Sequence, residues 1–194
     1  MSRTLALILA AALAASCRTA APAQQAAVVT PGPPGHVKAD VEFMLGMIRH
    51  HAQALDMVGL LETRTRSADM KLLALRIKVS QQDEIKFMRD WLRDRGEAVP
   101  AEHAHRAHDF TVMPGMLSPE EMAKLAAATG PAFDRLFLEY MIKHHEGALL
   151  MVQELFTKDG AAQQSDVNAF ASDVVADQQM EIDRMIGMLR GMGK

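Results

Sequence analysis

The chain has 194 residues, 49% of them hydrophobic, and a formal charge of −3. That balance excludes disorder throughout and leaves no electrostatic case for a nucleic-acid partner or an anionic membrane surface. Length allows one domain, or two small halves sharing a core. Aromatics make up only 5% while methionine reaches 15 residues, so Met, Leu and Ala must fill much of the interior, which suits helices.

The N-terminal residues read as a targeting segment. Arg3 precedes an apolar run from Leu5 to Ala15, too short for a permanent membrane span. Two processing sites compete: Ala14-Ala15-Ser16-Cys17, a lipoprotein-type box with Ala where Leu is more usual, and Ala21-Pro22-Ala23. Cys17 is the sole cysteine and has no internal disulfide partner. Its place just behind the apolar run favours a signal peptide over residues 1–17 and a lipid on Cys17, hence export to the periplasm. Residues 18–35, rich in Ala, Gln and Pro, read as a disordered tether to a domain spanning 36–194.

Helical periodicity then runs from about Val37 to Thr63, across Gly46 and Gly59. Ser67 is a good N-cap for a second helix, Ala68 to about Arg95, with a core row of Leu75, Lys78, Gln81, Ile85, Met88 and Leu92. Residues 97–117 lack that period. Ser118-Pro119-Glu120-Glu121 combines a capping serine, a first-turn proline and a glutamate three residues after the cap, which starts a short helix ending at Gly130. Pro131 opens a third long helix to near Gly160, and Ser165 or Asp166 caps a fourth to about Arg190.

Two of these helices repeat. Phe43–Met57 reads FMLGMIRHHAQALDM and Phe137–Met151 reads FLEYMIKHHEGALLM, at an offset of 94 residues. Phe, Met, Ile, His-His, Ala, Leu and a final Met coincide. Gln81-Gln82-Asp83-Glu84-Ile85 with Met88 likewise matches Gln178-Gln179-Met180-Glu181-Ile182 with Met185. The chain is therefore two helical hairpins, about 36–96 and 131–194, joined by a connector over 97–130 that contains one short helix. Helices of this length span roughly 37 Å, a distance the connector can cross, as in ferritin-like bundles. The expected fold is all-α, a ferritin-like four-helix bundle.

In each first helix one face places His50 with Met47, and His144 with Met141, while His51 and His145 fall on the neighbouring row. Imidazole with thioether is a soft donor set, suited to copper and poorly suited to magnesium or calcium. Adjacent histidines point about 100° apart on a helix, so the expected unit is one His with Met residues and a group from the partner helix. That gives His50 with Met47 and Met88, and His144 with Met141 and Met185; His51 and His145 support these or face a shared centre. The competing reading is a satisfied core, with Gln81, Gln82, Gln178 and Gln179 hydrogen-bonding the rings. The connector offers a second candidate, His103, His105 and His108 followed by Met113 and Met116, set against an ordinary exposed polar loop.

The segments MIRHHAQALDM, MIKHHEGALLM, MPGMLSPEEM and the QQDEIKFM/QQMEIDRM pair resemble the domain-of-unknown-function family numbered 305. The resemblance covers about Val37 to the C-terminus. It implies a ferritin-like fold in an exported bacterial protein, and for some members periplasmic copper binding and copper resistance. Di-iron chemistry is not implied by the fold, because no Glu-x-x-His lies on the long helices. There is no Gly-x-Ser-x-Gly, phosphate loop or thiol nucleophile, so no enzyme is expected. The expectation is an exported copper-binding protein, taking Cu(I) or Cu(II) for buffering, storage or delivery to another copper-handling protein. Its alternative is a metal-free structural or interaction module.

Overall fold

The computed structural model describes residues 35–100 and 113–193. The expected signal peptide with Cys17, nearly all of the tether, and the connector histidines His103, His105 and His108 lie outside the described residues. All regular structure among the described residues is helical: α1 (Lys38–Gly59), α2 (Leu61–Arg64), α3 (Ala68–Asp94), α4 (Pro119–Ala127), α5 (Gly130–Thr157) and α6 (Ser165–Gly191). None of these helices is long and apolar enough to cross a membrane.

Serine side-chain caps set the starts of α3 and α4. The Ser67 hydroxyl accepts from the Met70 amide at 3.3 Å. At α4 the box is reciprocal: Ser118 Oγ accepts from the Glu121 amide at 3.2 Å and the Glu121 carboxylate accepts from the Ser118 amide at 2.8 Å. Three boundaries differ from expectation. The short helix stops at Ala127, and Gly130, expected at its end, is the first residue of α5. The first helix divides, ending at Gly59 with the Leu60 amide on the Met57 carbonyl at 3.1 Å, a tightened last turn before the single turn of α2. The cap of α6 is Gln164, not Ser165 or Asp166, and the Asp166 carboxylate is engaged by Arg95 at 2.7 Å.

α1 packs on α3, α5 packs on α6, and the hairpins meet along α1 and α5. The buried side chains form two apolar clusters. One holds Phe43, Met47, Met88, Leu92, Val152 and Phe170. The other holds Met57, Met70, Ile77, Phe137, Met141 and Met185. Read along the chain, α1 and α6 run from the first cluster to the second, while α3 and α5 run the opposite way. The connection from α3 to α5 therefore travels the length of the bundle, the single crossover of ferritin-like folds.

α3 corrects one expectation. Leu75 is 56% exposed and Lys78 is also outside, whereas Met70, Leu73, Ala74 and Ile77 are buried. The expected row holds from Gln81 onward, through Met88 to Leu92. The two rows are neighbours on the helix surface, and packing against α1 puts the one without a lysine inside.

The crossover ends in a strap, Met113–Leu117, lying against α1 and α5. The Gln53 side-chain amide grips its end, donating to the Leu117 carbonyl at 3.0 Å and accepting from the Leu117 amide at 2.7 Å. Contact with α5 is backbone to backbone. A Cβ on Gly147 would sit 2.0 Å from the Pro114 carbonyl oxygen, and Gly115 adopts φ +75°, open to glycine at little cost.

Candidate metal centre

The two apolar clusters are separated on every long helix by polar residues. α1 contributes His50 and His51, α3 contributes Gln81 and Glu84, α5 contributes His144 and His145, and α6 contributes Gln178 and Glu181. The four imidazoles and both glutamines are buried, none more than 1% exposed. A polar layer thus crosses the middle of a methionine-rich core, and the duplication supplies it twice.

The His50 and His144 rings are in contact, their centres 3.8 Å apart and their planes tilted by 40°. His50 Nε2 donates to the Pro114 carbonyl and His144 Nε2 donates to the His50 carbonyl, each at 3.0 Å. A carbonyl only accepts, so Nε2 carries the proton in both rings. Burial, and then the neighbouring His51, push His50 down to about 3, against the opposing pull of the Pro114 carbonyl. Burial and the His50 ring push His144 in the same direction. Both rings are therefore neutral, with the Nδ1 lone pair bare, and Nδ1 has no hydrogen-bond partner in either. A neutral imidazole whose far N–H is fixed by an oxygen acceptor is a poised metal ligand.

His51 and His145 use Nε2 differently. His51 Nε2 meets a Glu84 carboxylate oxygen, and His145 Nε2 meets Glu181 Oε2 at 2.6 Å. Ser80 Oγ supports Glu84 at 3.2 Å. The Nδ1 atoms of both rings, and both amide atoms of Gln81 and Gln178, are buried without a partner. The glutamines do not bond the rings: carbonyls and carboxylates do, while Gln82 and Gln179 face solvent.

Glu84 and Glu181 are the functional residues that sequence reasoning missed. Their signal was present, since the duplicated Gln-Gln-x-Glu-Ile places each glutamate one turn after a buried glutamine. Helical rows set them beside Met88 and Met185 but did not reveal which side chain of the partner helix lay opposite.

The methionines divide. Met47 and Met88 are fully buried in one apolar cluster, Met141 and Met185 in the other, so each expected pair flanks the layer from its own side. Met113 and Met116 lie half-buried on the strap. Met113 approaches Gly46 alongside Met151, where the missing side chain of Gly46 makes room for two thioethers. Among the described residues no group of three or more His, Cys, Asp and Glu side chains is arranged to hold a metal ion.

The family profile described as domain of unknown function (DUF305) matches residues 40–189. Among solved structures, a protein from Streptomyces coelicolor described as secreted is 26% identical, with a TM-score of 0.69 over 80% of this chain and 94% of its own. A DUF305 fragment from Deinococcus radiodurans is 32% identical, with a TM-score of 0.68 over 80% of this chain and 98% of its own. CopM in its Cu(I)-bound form is 27% identical, with a TM-score of 0.62 over 78% of this chain and 96% of its own. CopM has also been solved with Cu(II) and with silver. No curated protein matches the chain.

Proposed function

The chain belongs to the DUF305 family, and from that premise we propose that its buried histidine layer binds copper, in an exported protein that buffers, stores or delivers the ion. The carrying observation is the set of bare Nδ1 atoms on His50 and His144 inside a methionine-rich core. An orphaned buried polar group costs about 1–3 kcal/mol, and a metal ion that accepts the lone pair removes that cost.

The donor set argues for a soft ion. Thioethers from Met47, Met88, Met141 and Met185 with imidazole from His50 and His144 suit Cu(I), and none of these ligands can be trapped as a disulfide in an oxidising compartment. Likeness to a structure solved with Cu(I), Cu(II) and silver supports the same choice. Likeness to a protein described as secreted supports export, with Cys17 the proposed lipid anchor. The role is carriage, not catalysis.

The test is copper titration of the purified mature protein by calorimetry and by thermal shift, with silver as a redox-silent check. Wild type takes up copper stoichiometrically, and His50→Ala with His144→Ala removes most of the uptake. Equal uptake by that variant ends the layer reading. Uptake carried by His103, His105 and His108 moves the site to the connector. One observation favours a metal-free module: each ring already has a partner at Nε2. That reading predicts no copper after purification and no thermal shift with copper or silver.

A further inference from the structure

The polar layer has two sides, and the chain closes them differently. Between α1 and α5 it is sealed by the strap. The Pro114 carbonyl sits on His50, Gln53 locks Leu117 with two hydrogen bonds, and the Gly115 and Gly147 backbones are in contact. Between α3 and α6 the bundle instead leaves an open groove of about 530 Å³. Its walls include Leu73, Leu75, Val79 and Met180. Its charged residues are Asp83, Glu84, Asp177 and Glu181, set against Arg76 and Arg184.

Glu84 and Glu181 connect this groove to the interior. Each carboxylate is 12% exposed, and each holds an imidazole that is wholly buried, His51 and His145 respectively. Those two rings keep an unpartnered Nδ1 on the inner side. Asp177 lies close enough to feel both glutamates; burial, reinforced by their charges, raises its carboxyl above the ordinary range. Four carboxylates set against two guanidinium groups thus gather where Glu84 and Glu181, which hold two of the buried rings, meet solvent.

We propose that the α3/α6 groove is the port through which a hydrated cation reaches the buried layer, with Glu84 and Glu181 as the gate carboxylates. Oxygen ligands suit the incoming ion while it is still hydrated, and nitrogen and thioether ligands suit it once inside. A cation drawn onto the carboxylates stands one side chain away from the ring nitrogens. The division of labour explains why the layer carries two kinds of histidine: His50 and His144 are tied to main chain, His51 and His145 to carboxylates that face water. This inference rests on the copper reading and adds the route and the residues that control it.

The test is stopped-flow mixing of the purified full chain with Cu(II), read by quenching of Trp91, the single tryptophan, with capacity measured separately at equilibrium. Glu84→Gln with Glu181→Gln is expected to slow association by about tenfold, with added salt slowing wild type more than the variant. Arg76→Ala with Arg184→Ala lies outside the layer, reads the same field with opposite sign, and is expected to speed uptake. Unchanged rates in both variants overturn the port. Faster uptake in Gln53→Ala, which frees the strap, with no effect of the arginine changes, assigns entry to the other side. Lost capacity at an unchanged rate makes the glutamates ligands and not a gate. A wild type that takes up no copper removes the copper reading itself, whereas uptake at equal rates removes the port alone.

Discussion

His144 donates its Nε2 proton to the main-chain carbonyl of His50 at 3.0 Å, and the centres of the two tilted rings lie 3.8 Å apart. Equivalent residues of the two repeats are therefore in direct contact, and neither ring can be removed without changing the surroundings of the other. In metal-free protein, a double-mutant cycle of His50→Ala and His144→Ala should give a coupling energy of about 0.5–3 kcal/mol. Urea unfolding of the four proteins measures it. Additivity within about 0.5 kcal/mol would mean that the rings act independently.

The same layer makes stability depend on pH. His50 titrates at about 3 in the folded chain against 6.5 when exposed, and His144 shifts in the same direction. Between those values the unfolded chain binds protons that the folded chain refuses, so stability falls as pH drops below 6.5 and is flat with respect to these groups above it. Each such ring contributes a slope approaching about 1.4 kcal/mol per pH unit. The window from pH 6.5 to 5 isolates the histidines from ordinary carboxylates. Urea midpoints of the metal-free protein should decline across it, less steeply in His50→Gln. A profile flat from pH 8 to 5 would contradict a neutral buried layer.

Much of this was legible in the sequence. The His-His repeat placed four imidazoles inside, and the Ser67 and Ser118 caps were readable from spacing, whereas connector length allowed the ferritin-like crossover without fixing helix order. Contacts between helices were not. Periodicity says which residues share a face, but not which residue of another helix that face meets, so Glu84 and Glu181 were missed as partners of His51 and His145. The strap explains a second blind spot. Gln53 and Gly147 occupy equivalent positions in the two repeats, yet one grips the Leu117 backbone and the other gives way to Pro114 and Gly115. A duplicated bundle with a single crossover must break its symmetry where that crossover lands.

Asp40 joins residues far apart in the chain. Its carboxylate accepts from the Ala162 amide at 2.7 Å, at the turn between α5 and α6, and from the Val37 amide at 3.2 Å. The side chain is only 1% exposed. Asp40→Ala strands both amides and should cost about 1–3 kcal/mol, because the bond to Ala162 is charge-assisted and buried. Asp40→Asn keeps one acceptor oxygen and should recover part of the loss. Equal stability of Asp40→Ala and wild type in urea would remove Asp40 as the clasp of that turn.

Two glycine-to-alanine changes should move stability in opposite directions. In Gly147→Ala the new Cβ would lie 2.0 Å from the Pro114 oxygen and 2.6 Å from the Gly115 Cα, all main chain, so the strap itself must shift. Overpacking of this kind costs about 1–3 kcal/mol, and here it also withdraws the carbonyl that orients His50. Gly187 lies within α6 and is solvent-exposed, and a methyl group added there would meet nothing within 4 Å. Gly187→Ala should therefore stabilise the chain by about 0.5–1 kcal/mol through helix propensity and a less flexible unfolded state. Thermal melts of the two variants beside wild type decide the matter. If both destabilise alike, the loss in Gly147→Ala reflects something general to these helices and not a collision with the strap.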